Sequence, residues 1–126
     1  MKLITFNYGD KIKIGLVAEK GIIDITRQLD ISSLKQLIEK NKYAEVLKYI
    51  NEKPDYQLNE IEFLPVIPDP THIFCIGTNY ADHLQEAIDA GLPRSKTDHP
   101  PLFLRFADTL VGHEQSLLKS PQVNQL

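Results

Sequence analysis

The sequence predicts an α+β protein in two parts, and three observations carry that prediction. Apolar alternation of period two runs through residues 3–25, helical spacing with a capping signal follows from Ser33, and three prolines stand between Pro65 and Pro70. Alternation places every second side chain on one face of a strand, whereas a helix brings residues three and four apart together. Strands therefore come first, short helices next, and a proline-rich boundary after them. The expected division is a small α+β domain over 1–66, a Pro-rich linker over 67–70 and a second domain beginning at 71 and running to 126.

Each element has a local cause. Leu3, Thr5 and Asn7 alternate with Lys2, Ile4 and Phe6, and Tyr8-Gly9-Asp10 predicts a turn. Ile12, Ile14, Leu16 and Ala18 alternate with Lys11, Lys13, Gly15 and Val17, which predicts a half-buried strand. Glu19-Lys20-Gly21 supplies a tight turn, and Ile22-Ile23-Asp24-Ile25 returns as its hairpin partner. Ser33 stands three residues before Gln36, so a hydroxyl and an amide can cap one helix reciprocally. Leu34, Leu37 and Ile38 share a face of that helix. After a break at Asn41, Tyr43, Val46, Leu47 and Ile50 continue the spacing until Pro54 ends it. Ile61 to Leu64 predicts one more strand. Pro65, Pro68 and Pro70 then force extended backbone and exclude helix.

Composition excludes several classes. With 42% hydrophobic and 25% charged residues over 126 positions, the chain is neither disordered nor a disulfide scaffold. Lys plus Arg is 14 and Asp plus Glu is 17, a formal charge of −3, so no basic stripe exists to neutralise phosphates and nucleic acid is not an expected partner. One cysteine makes no internal disulfide, which suits a reducing compartment such as the cytoplasm. No apolar run approaches the ~20 residues that span a bilayer, so no membrane partner is expected.

The chemistry-bearing segment begins at His72-Ile73-Phe74-Cys75-Ile76, a continuous apolar run that predicts a strand buried on both faces. Gly77 permits a sharp turn, Asn79 can cap, and residues 80–90 predict a helix closed by Gly91. His83 and Glu86 are three apart on that helix, with Tyr80 one turn earlier, so they share one face. A carboxylate beside an imidazole favours its protonated form and fixes the ring, which is how a general base for water is assembled. The same spacing also describes an ordinary surface pair, and the dyad alone does not separate the two.

The longer string from Ile73 through Ala87 resembles the fumarylacetoacetate hydrolase family, in which a buried strand leads into Gly-x-Asn-Tyr-x-x-His-x-x-Glu. Gly77, Asn79, Tyr80, His83 and Glu86 meet all five fixed positions. Pro101-Leu102-Phe103-Leu104-Arg105 is similar to the family's following strand, Leu110-Val111-Gly112-His113 to its next turn, and the region around Ile22-Ile23-Asp24-Ile25 to its small amino-terminal domain. The resemblance implies a small α+β domain followed by the incomplete start of a mixed-β catalytic domain. It further implies a metal-dependent hydrolase cleaving a C–C bond in an acylpyruvate-like or other oxo acid. His83 would activate water and Glu86 would orient it, while Asn79, Tyr80 and Arg105 would face the substrate. A homodimer is the arrangement that goes with it.

The resemblance also implies Mg²⁺ or Mn²⁺ held by a downstream Glu-x-Glu strand and a later Asp. After Glu86 the acids are Asp89, Asp98, Asp108 and Glu114, and none forms that pair. Glu60-Ile61-Glu62 has the spacing but precedes the motif and reads as a solvated strand face. His72, His83, His99 and His113 are too scattered for a zinc site, and Cys75 reads as a small buried strand residue. No metal is therefore expected on this chain itself. The closing Ser120–Leu126 stretch completes no element, and the expectation is the inactive front portion of a longer enzyme. Glu114 stands where many relatives have Gly, which bears on the turn's backbone. Two alternatives remain open: an isomerase or decarboxylase of 2-oxo acids in the same family, and a non-catalytic, self-associating module.

Overall fold

The computed structural model describes residues 1–77, 79–92 and 99–122. Thr78, Asp98 and residues 123–126, which enter the sequence reading, lie outside them. The chain divides into two compact units, Met1–Asp69 with Leu110–Leu126, and Pro70–Thr109. The described residues 110–122, grouped by sequence with the second domain, cluster with the first unit.

The first unit is a four-stranded antiparallel sheet in the order β3-β2-β1-β4, with β1 at Leu3–Tyr8, β2 at Lys11–Ala18, β3 at Gly21–Asp24 and β4 at Glu62–Phe63. Register runs from Leu3 opposite Leu16 to Tyr8 opposite Lys11, and Ala18 meets Gly21 across the second turn. The alternation read in β2 is borne out at Ile14 and Leu16, which are fully buried, whereas Ile12, beside the β1–β2 turn, is exposed. Three short helices follow: α1 at Thr26–Leu29, α2 at Leu34–Glu39 and α3 at Tyr43–Val46. Leu29, Leu34, Leu37 and Val46 from these helices join Ile14, Leu16, Ile23 and Ile25 from the sheet region in one core. Each such side chain removed from water contributes roughly 1.5–3 kcal/mol.

Capping follows the sequence with one shift. The Ser33 hydroxyl accepts the Gln36 N–H at 3.1 Å, but Gln36 Oε1 reaches back to the N–H of Ser32 at 2.9 Å, not that of Ser33. Asn41 takes φ +50, the left-handed conformation that stops α2. The Glu60–Glu62 spacing does not make a two-carboxylate strand face. Glu60 lies in a 3-10 turn and accepts the Gln57 N–H at 2.7 Å, while Glu62 in β4 accepts from Asn7 and Gln115.

The returning 110–115 turn packs on β4. Gly112 N–H donates to Gln115 Oε1 at 2.6 Å, and a Cβ at position 112 would sit 2.0 Å from the Phe63 carbonyl oxygen, so only glycine fits. The His113 ring stands edge-on to Phe63 with centroids 5.1 Å apart. Glu114 adopts φ +63, a left-handed conformation that is strained for a non-glycine residue.

The second unit is a two-stranded antiparallel sheet, β5 at Ile73–Ile76 and β6 at Leu102–Arg105, with helix α4 at Ala81–Asp89. The expectation of a strand buried on both faces is overturned. Phe74 and Ile76 are 63% and 56% exposed, and their register neighbours Leu104 and Leu102 are 60% and 64% exposed. Strand β5 has one hydrogen-bonded neighbour, and nothing described covers the face carrying these four side chains. Cys75, expected to be buried, is half-buried.

Candidate active site

Gly77 follows the end of β5, and its N–H donates to the Pro101 carbonyl at 2.8 Å. Helix α4 then begins with Tyr80 as its N-cap at φ −111, ψ 142, and no side chain accepts a first-turn N–H. Asn79, expected to cap, lies one residue too early to do so. Gly91 at φ +71 ends the helix as anticipated, with Ala90 and Gly91 N–H groups bonded back to Glu86 and Ile88 carbonyls.

The helix brings His83 and Glu86 together. Nδ1 of His83 and Oε2 of Glu86 are 3.4 Å apart, the long end of hydrogen bonding. The side chains are 57% and 78% exposed, so solvent screens the pair and its own contribution to stability is small. When Nδ1 carries the proton toward Glu86, Nε2 keeps a lone pair facing away from the carboxylate. In that tautomer Nε2 can accept a proton.

Tyr80 is exposed one turn before His83. Arg105 closes β6 opposite Ile73, and its guanidinium carbon lies 5.4 Å from the Phe103 ring centre. Among the described residues Arg105 forms no ion pair, and its contact is with an aromatic face. His113 lies in the other unit, against Phe63. Among the described residues, no three His, Cys, Asp or Glu side chains gather as a metal site. The donor set present does not fit the Mg²⁺ or Mn²⁺ that the resemblance implies.

No protein-family model matches the chain. The fumarylacetoacetate hydrolase domain-containing protein 2 homolog of Dictyostelium discoideum is 27% identical over 135 residues, spanning 100% of this chain and 43% of that protein. The chain is similar to fumarylacetoacetate hydrolase-domain proteins. The mitochondrial oxaloacetate tautomerase Fahd2a of Rattus norvegicus is 29% identical over 68 residues, 54% of this chain and 20% of the rat protein. Among solved structures, a protein from Mycobacterium smegmatis provisionally described as HpcE shares the fold at a TM-score of 0.67 and 21% identity, over 95% of this chain and 41% of the other. The fumarylacetoacetate hydrolase of Exiguobacterium antarcticum gives 0.54 and 24%, over 88% and 37%. The chain thus spans less than half the length of the relatives it matches. No helix among the described residues is long and apolar enough to cross a membrane. The mitochondrial label of the rat relative lends no support to the cytoplasmic expectation.

One feature escaped the sequence reading. Asp24 is 4% exposed and lies at a polar pocket with Arg27, Gln28 and Asp55. The only signal was a carboxylate inside the apolar run Ile22–Ile25. Lys13 Nζ donates to Asp24 Oδ2 at 2.5 Å, and Thr26 N–H donates to Oδ1 at 3.0 Å. Burial disfavours the Lys13 charge, but hydrogen bonds to Asp24 and Tyr56 outweigh it and raise the lysine above its ordinary 10.5.

Proposed function

We propose that this chain contributes the general-base segment of an enzyme acting on small oxo acids. The observation that carries the reading is the His83–Glu86 pair, 3.4 Å apart on the helix that follows β5, in a chain whose relatives are fumarylacetoacetate hydrolase-domain proteins. Glu86 holds Nδ1–H, and Nε2 removes a proton from water. The resulting hydroxide adds to the acyl carbonyl of an acylpyruvate-like substrate. The C–C bond to the neighbouring carbon breaks, its electron pair passes into the enolate of the pyruvate half, and a proton returns to that carbon. Asn79 and Tyr80, at the head of α4, and Arg105, at the end of β6, are the residues assigned to the substrate. A homodimer belongs to the same reading.

The name of the rat relative favours a second chemistry on the same base. In a tautomerase, Nε2 takes a proton from the carbon beside the keto group, and the keto oxygen is protonated in turn. No C–C bond breaks. Product analysis separates the two readings, because hydrolysis yields two acids and tautomerisation leaves one. The test of the shared base is the natural gene product with Mg²⁺ supplied and acylpyruvate or oxaloacetate as substrate. His83→Ala is expected to lower turnover about 10²- to 10⁴-fold, the usual worth of a positioned base. Turnover that survives His83→Ala removes the assignment.

A further inference from the structure

We propose that the polar pocket of the first unit binds a polar α-amino acid as its zwitterion. The cavity, ≈ 400 Å³, is lined by Asp24, Arg27, Gln28 and Asp55. That volume lies within the roughly 300–1,000 Å³ usual for small-molecule sites. All four linings are polar, so the ligand's side chain is polar as well.

The charges in this pocket are arranged unusually. Asp24 has both carboxylate oxygens occupied, one by Lys13 and one by the Thr26 N–H, so its charge is already balanced. Asp55 spends Oδ2 on the Asp24 N–H at 2.8 Å and keeps Oδ1 open. Arg27, exposed on α1, makes no hydrogen bond or ion pair among the described residues. Gln28 Nε2 donates to Glu52 at 3.4 Å, which leaves its carbonyl oxygen available as an acceptor. The pocket therefore presents one uncommitted cation and one uncommitted anion that line a common cavity without closing on each other. A ligand with a carboxylate for Arg27 and an ammonium for Asp55 satisfies both. The guanidinium fork suits a carboxylate in particular.

Competing ligands fit less well. Phosphate would meet the Asp55 carboxylate, with Glu52 bonded to Gln28 beside it. A divalent cation would face the Arg27 charge and find one free carboxylate where such ions take about six or more oxygens.

The test uses the full chain, ¹⁵N-labelled, titrated with L-serine. Two probes each remove one charge: 3-hydroxypropionate lacks the ammonium and ethanolamine lacks the carboxylate. Serine is expected to shift the amide signals of residues 24–28 and 55, and each probe to bind at least about tenfold more weakly. Arg27→Gln and Asp55→Asn are each expected to weaken serine by a similar factor, with Arg27→Lys retaining most of it. Asp55→Asn keeps an oxygen for the Asp24 N–H, and Arg27 is exposed, so both variants preserve the fold. Absence of shifts at about 10 mM serine overturns the proposal. So does equal binding of 3-hydroxypropionate, or unchanged affinity in Arg27→Gln.

Discussion

The described residues of the first unit enclose an interior, and those of the second do not. Ile14, Leu16, Ile23, Ile25 and Leu37 are wholly buried in the first, each reached by sheet or helix neighbours. Among the described residues of Pro70–Thr109, none is buried, and the most apolar positions are among the most exposed. Both units are built from apolar strands, so apolar content alone does not make a core. What differs is the number of layers. Four strands backed by three helices enclose side chains, whereas one strand pair with a single helix leaves a sheet face open. A two-stranded sheet is marginal by itself for this reason. The His83–Glu86 pair is carried by the open unit, and its solvent exposure is a consequence of that architecture.

Three perturbations sharpen the contrast. The largest effect is expected at the buried ion pair. Lys13→Ala strands the Asp24 carboxylate and should cost about 3–5 kcal/mol in urea unfolding of the first unit. The raised lysine fixes the sign of the pH effect. Its stabilisation is complete below the ordinary 10.5 and is lost as pH climbs through the raised folded value. A loss of stability confined to acid would contradict this.

Next come matched leucines. Leu37→Ala, at a fully buried position, is expected to cost about 2–5 kcal/mol through transfer and cavity terms. Leu104→Ser, on the open face, should change stability by no more than about 0.5 kcal/mol. Equal costs in the two would mean that the second unit has a core after all. The smallest effect is a gain. Glu114→Gly relieves a left-handed backbone and should stabilise the first unit by about 1 kcal/mol, read as a higher urea midpoint. No gain would show that the turn on β4 already accommodates that conformation at no cost.

What was legible in the sequence was local. The β1–β2–β3 meander follows from period-two alternation and two turns, and the stop at Asn41 from one residue's tolerance of positive φ. His83 and Glu86 meet because three residues make one helical turn, so their contact needed no tertiary knowledge. The helix starts one position after Asn79, at the Tyr80 N-cap, since helix starts depend on backbone geometry that many residues satisfy.

The rest required distant chain to come together. Nothing near Gly112 announces that the Phe63 carbonyl will lie against it, 49 positions away in sequence. The Lys13–Asp24 pair and the Arg27–Asp55 pocket depend on strand register and on a loop returning from residue 55. The Phe74–Ile76 face is exposed despite its apolar sequence, because burial is a property of what packs on a strand and not of the strand. By itself the sequence determined the kinds of element, their order and the helical meeting of imidazole and carboxylate, all of which are set by interactions within a few residues. Only the tertiary structure decided which apolar faces are covered, which charges are shut in and where a cavity opens, because those depend on the layers that the folded chain supplies.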